Sequence, residues 1–146
     1  MTAPRLNFQT WLFAGLAACF ILPDVLADDH YVAHNGQAPA FPYTNGWLSA
    51  ASNIQDAVNI TSEGDTVWVG AGRYTVPPNP TNYADNYNVV YITNHITLRS
   101  SNGAPESTII DGSATNRGIA FWCYSKVGKK QFVLDGFTIS NCWVTN

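Results

Sequence analysis

The chain has 146 residues, seven of them Lys or Arg and ten Asp or Glu, for a formal net charge of −3. Seven cations neutralise too few phosphates for a nucleic-acid binder built on a basic face. A charged content of 12% is also far below what a disordered acidic tail or a coiled coil needs, and the length allows one domain at most.

Residues 1–27 read as an address. Arg5 precedes an apolar run from Trp11 to Leu22, Pro23 breaks it, and Val25-Leu26-Ala27 leads into Asp28-Asp29. A cation, a short apolar core and small residues before an acidic pair predict a secretory signal peptide cut after Ala27. The run falls short of the roughly 18 apolar residues that span a bilayer, so the mature chain, 28–146, is expected to carry no membrane span. Leu16-Ala17-Ala18-Cys19 offers a competing lipoprotein reading, against which Phe20-Ile21-Leu22 prolongs the apolar run past Cys19. Either route makes the product secreted or cell-surface. Outside the cytosol, Cys123 and Cys142 form an even pair for which a disulfide is allowed; two buried small hydrophobes are the other reading.

The mature chain opens with a short strand at Tyr31-Val32-Ala33 and a turn at Asn35-Gly36. A helix is predicted over 53–62: Ser52 and Gln55 make a capping box, Ala50, Ile54, Ala57 and Val58 share a face, and Gly64 stops it. The period then switches to two. Strands are predicted at 66–69, 73–76, 89–93, 96–99, 108–110, 119–123, 132–134 and 137–140, with the Pro-rich loop 77–88 between the second and third. Many short strands with Asn, Gly and Ser turns mean an all-β fold. The chain also echoes itself: Ile109-Ile110-Asp111-Gly112 returns as Val133-Leu134-Asp135-Gly136, and Ile96/Leu98 as Phe132/Leu134 and Phe137/Ile139. Such self-similarity predicts a solenoid in which each coil buries its apolar face on the next, with the helix covering the first coil's open edge.

The segments YVAHNG, PYTNGWLSAASNIQDAVN and GDTVWVGAGRYT, in that order, resemble the opening of secreted right-handed parallel β-helix proteins of the pectin-lyase-like superfamily. VVYITNHITLRSSNGAPESTIIDG is similar to their next coil and FVLDGFTISN to their recurrent rung. The resemblance spans about 31–141 and implies a right-handed parallel β-helix with an N-terminal cap helix. It does not select a function, because the superfamily holds polysaccharide lyases, glycoside hydrolases, esterases, adhesins and surface scaffolds. About two to three coils follow the cap, where at least three repeats are usual for stability. The expectation is therefore the N-terminal part of a longer protein, or a truncated frame; a mini-solenoid closed by a partner is the alternative.

Candidate chemistry is sparse. Asp111 and Asp135, at echoed positions, would bind Ca²⁺ if stacked on one face or act as an acid/base pair; as Asp-Gly turns they would instead bond nearby N–H groups. Lys126, Lys129, Lys130, Arg99 and Arg117 are the cations a lyase on uronates would use, or a solvated loop tip. His30 and His34 are expected at the surface and His95 at a bend. Trp68, Tyr83, Tyr87 and Trp122 are candidates for stacking on sugar rings, or for packing under loops. Asn59-Ile60-Thr61 is a formal glycosylation sequon. No other cofactor is evident. The expected function is a non-catalytic glycan-binding, structural or adhesive β-helix. The other class is a pectate-lyase-like lyase or glycoside hydrolase whose catalytic coils lie beyond residue 146.

Overall fold

The computed structural model describes residues 26–34, 37–76, 88–122 and 131–143. Cys19 and nearly all of the predicted signal peptide, Asn35-Gly36, Tyr83, Tyr87, Cys123 and Lys126, Lys129 and Lys130 lie outside the described residues.

Among the described residues the regular structure is mostly strand, and every strand pair is parallel. The strands are β1 (Asp29–Val32), β2 (Thr66–Val69), β3 (Gly72–Tyr74), β4 (Asn88–Ile92), β5 (Thr97–Ser100), β6 (Thr108–Asp111), β7 (Arg117–Phe121), β8 (Val133–Asp135) and β9 (Thr138–Ser140). They form three separate sheets: β1-β2-β5-β8, β3-β6-β9 and β4-β7. From β2 onward the chain visits the first, second and third sheets in turn, then repeats the circuit. Partners in one sheet lie 29 to 37 residues apart, with Ile110 and Ile139 at the short end and Val32 and Val69 at the long end.

Alternation sorts the side chains. In the first sheet Val67, Leu98 and Leu134 stack on one another, as do Val32 and Val69. Tyr74, Ile110 and Ile139 continue the interior in the second sheet, and Val90 with Ile119 in the third. Val32, Val67, Val69, Val90, Ile92, Leu98 and Ile110 have no exposed surface, so one face of the parallel strands is buried in a shared interior. The stack loosens toward β9, where Ile139 is 46% exposed.

Two expectations need correction. The 24-residue echo of Asp111-Gly112 in Asp135-Gly136 does not mark paired strands, because β6 belongs to the second sheet and β8 to the first. Both dipeptides end a short strand, which is why they look alike; register instead matches Leu98 with Leu134 and Ile110 with Ile139. The helix α1 is also shorter than predicted, running Ile54–Val58, and its cap is Asn53, whose side chain accepts from Asp56 N–H at 2.8 Å. After Asn59 the N–H groups of Ile60 and Thr61 bond three residues back, and the Thr61 hydroxyl donates to Val58 C=O at 2.8 Å. That tightening turns the chain out of the helix.

Helix α1 buries Ile54, Ala57 and Val58 against β4, β1 and β2. Gln55 completes its work as a cover: Nε2 donates to Tyr91 C=O at 3.0 Å, and Oε1 accepts from Tyr91 N–H at 2.7 Å. The side-chain amide thus supplies β4 with the two bonds that another strand would have made. Among the described residues no helix is long and apolar enough to cross a membrane.

Candidate functional site

The outer face of the third sheet holds a hollow that combines exposed aromatic rings with an amide and a cation. In β4, Val90 and Ile92 point inward and Tyr91 between them points out, 37% exposed. Opposite Tyr91 stands Ala120, and opposite Asn88 stands Arg117. The small Ala120 side chain leaves a depression that a larger residue would fill. Trp122 closes one end. Its N–H donates to Ile92 C=O at 2.8 Å, which fixes the backbone, while the residue as a whole is 74% exposed.

Asn88, Tyr91, Arg117, Ala120, Phe121 and Trp122 enclose about 300 Å³. A second hollow of about 260 Å³ shares Asn88 and Tyr91 and reaches Gln55 and Asn59 on the helix side. The two form one groove across the sheet, near the lower size limit of small-molecule sites. Gln55 is committed to the Tyr91 backbone and to Asn59 Oδ1 at 2.7 Å. Arg117 is exposed and forms no ion pair among the described residues. Among the described residues the lining holds no carboxylate and no histidine. These residues bring together flat rings that can stack, side-chain amides and a guanidinium.

The other expected residues fall elsewhere. Trp68 sits on the outer face of the first sheet, in register with Tyr31 and Arg99. Its indole N–H donates to Asp29 Oδ1 at 3.0 Å, and the Arg99 guanidinium lies 5.7 Å from the ring centroid. Arg99 Nε in turn stands 3.0 Å from Asp135 Oδ2, close enough for an ion pair but too poorly aligned for a hydrogen bond. Tyr31 meets Trp47 edge to face at 5.0 Å. Trp68 is therefore a rung in a ladder that ties four strands together, and not part of the groove.

Asp111 and Asp135 are not stacked, since their strands belong to different sheets, and each faces its own arginine. Asp111 accepts from Ser113 N–H at 2.7 Å, from Arg73 and from Asn141 Nδ2 at 3.3 Å. The Ser113 N–H first, then Arg73 and Asn141, hold its carboxyl below the ordinary aspartate range against the opposing effect of burial. Among the described residues no three His, Cys, Asp or Glu side chains converge as a metal site. Cys142 is exposed and donates to Ser140 C=O at 3.3 Å.

His30 and His34 diverge. His34 is at the surface as expected, stacked on Tyr74 at 4.3 Å with Nε2 2.7 Å from Arg73 C=O. His30, against expectation, is 3% exposed, because its position in β1 points inward in line with Val67. His95 lies in the turn between β4 and β5, 3.2 Å from Glu63, where both line a cleft of about 230 Å³ with Gly64 and Gln131. Sequence reasoning did not single out Tyr91 or Asn88, and marked Asn59 only as part of a glycosylation sequon. The in-out alternation that put Trp68 on the outside applies equally to Tyr91 in VVYI, and that signal would have found it.

No protein-family model matches the chain, and no curated protein and no solved structure is similar enough to be matched to it.

Proposed function

We propose that this chain is a secreted or cell-surface right-handed parallel β-helix that binds glycan non-catalytically through the groove outside its third sheet. The ordered circuit through three parallel sheets supports the β-helix, and the near-universal right hand of parallel crossovers supports its handedness. The apolar run at 11–22 ahead of Ala27 supports export. The observation that carries the binding reading is Trp122: a large ring on a fixed backbone, 74% exposed, beside Tyr91, Arg117 and Asn88. An indole left in water at the rim of a groove is suited to the apolar face of a sugar ring, while amides and a guanidinium suit its hydroxyl and acidic substituents.

The test is a panel of immobilised neutral and acidic polysaccharides probed with the wild-type chain and with Trp122→Ala. Binding to at least one glycan, weakened about tenfold or more by that substitution, is expected from loss of a stacked ring. Trp68→Phe should bind like wild type. Absence of binding across the panel contradicts the reading. Release of unsaturated products from uronate polymers would replace it with a lyase.

A further inference from the structure

His30 is the one buried histidine, and both of its ring nitrogens face acceptors. Nδ1 lies 3.0 Å from Pro42 C=O and Nε2 lies 3.2 Å from Asp65 Oδ2. Neither acceptor can donate: one is a carbonyl, the other a carboxylate. A neutral imidazole carries a single N–H and satisfies only one of them, leaving a lone pair aimed at the other. The imidazolium satisfies both.

The three partners belong to different parts of the chain. His30 is in β1, Asp65 ends the turn before β2, and Pro42 belongs to the 37–46 segment beside β1. That segment is also held by the Tyr31 N–H bond to Tyr43 C=O at 2.9 Å, by Gln37 Nε2 donating to Ala33 C=O, by the Ala38 and Ala40 N–H bonds to Leu48 and Ser49 C=O, and by Tyr43 packed on the core, and it carries the exposed Phe41. We propose that His30 is a proton-dependent latch: its charged ring holds the 37–46 segment on β1, and its deprotonation releases that segment while β1 stays on β2.

The direction of release follows from the acceptors. The carboxylate is the stronger one, so the last proton stays on Nε2 facing Asp65, and the Nδ1 lone pair then repels Pro42 C=O. Asp65 remains ionised well into acid: burial raises its carboxyl, but the N–H groups of Asp28 and Ser62 together with His30 outweigh burial and hold it below the ordinary range. The latch is therefore closed while the ring carries both protons, opens when it loses one, and fails at the acid end only when Asp65 is protonated. Asp65 is the only charged group in contact with the ring among the described residues. The charged side chains on adjoining segments are Asp28, Asp29, Glu63 and His95, the last two paired with each other, and a cut after Ala27 adds the Asp28 α-ammonium, whose nitrogen lies 2.9 Å from Asp65 Oδ1.

Long-range proton–nitrogen NMR of the ¹⁵N-labelled chain from about pH 5 to 9 tests this, with His34→Gln and His95→Gln assigning the ring signals. Protons on both His30 nitrogens in mild acid, then on Nε2 alone, are expected. In step, the Tyr31 amide should lose about tenfold or more of its exchange protection after correction for intrinsic pH dependence, with the Val67 and Leu98 amides unmoved. A His30 ring that is neutral throughout, or a Tyr31 amide indifferent to its titration, overturns the latch. Loss of protection at Val67 in the same step also overturns it, because the pair would then support the whole fold and not one segment.

Discussion

Gly112 and Gly136 follow aspartates in the same local sequence, yet the fold asks different things of them. Gly136 has φ +79°, a turn conformation that side chains resist. Gly112 is needed for space: a Cβ there would lie 2.3 Å from Asn116 C=O and 2.7 Å from Asn141 C=O. Backbone cannot swing aside as a side chain can. At Gly118 a Cβ would also meet close neighbours, but these are Ile139 Cγ2 at 2.5 Å and Cys142 Sγ at 2.9 Å, side chains near the open end of the stack. Gly112→Ala is therefore expected to cost about 1–3 kcal/mol in urea unfolding, and Gly118→Ala clearly less. Equal costs would mean that the crowding at Gly112 is relieved as easily as at Gly118. The Asp-Gly echo in the sequence carries none of this difference. It registers that a strand ends, and the packing partner of the glycine is set by strands tens of residues away.

Helix α1 and strand β4 form a unit whose hydrogen bonds were only partly legible in advance. The apolar face of Ile54, Ala57 and Val58 was plain from spacing, and it is the face that packs. The Ser52/Gln55 capping box was equally plain and does not form, because Gln55 is drawn across to Tyr91, a contact 36 residues away. Local pattern cannot weigh a local bond against an unpaired strand edge, and the edge wins, since two backbone groups would otherwise lack partners. Asn53→Ala should lower stability by about 1 kcal/mol, the usual worth of an N-cap, and Ser52→Ala should be near neutral. Gln55→Ala should cost about 1–3 kcal/mol through the bonds it strips from β4 and speed exchange of the Tyr91 amide. A Ser52→Ala loss equal to that of Asn53→Ala would restore the predicted cap.

Across the whole molecule, the sequence conveys strand positions to within a residue or two and the inward rows almost completely, because period-two alternation is a property of each strand alone. The spacing between paired strands, 29 to 37 residues, is obscured by loops of unequal length. The candidate site was half visible: Trp122 was singled out from sequence, but the partners that make it a groove come from β4, β7 and α1, which only the circuit of the chain brings together. Trp68, chosen on the same grounds, is taken up by Asp29 and Arg99. The two tryptophans thus differ in role: Trp68 braces the first sheet, and we propose that Trp122 faces ligand on the third. Titrating the ¹⁵N-labelled chain with an oligosaccharide of the best-bound glycan, and following both indole N–H signals with the backbone, tests that assignment directly. The prediction is that Trp122, Tyr91, Arg117 and Asn88 move together while the Trp68 indole stays still; shifts centred on Trp68, Arg99 and Trp47, with Trp122 unmoved, would contradict it.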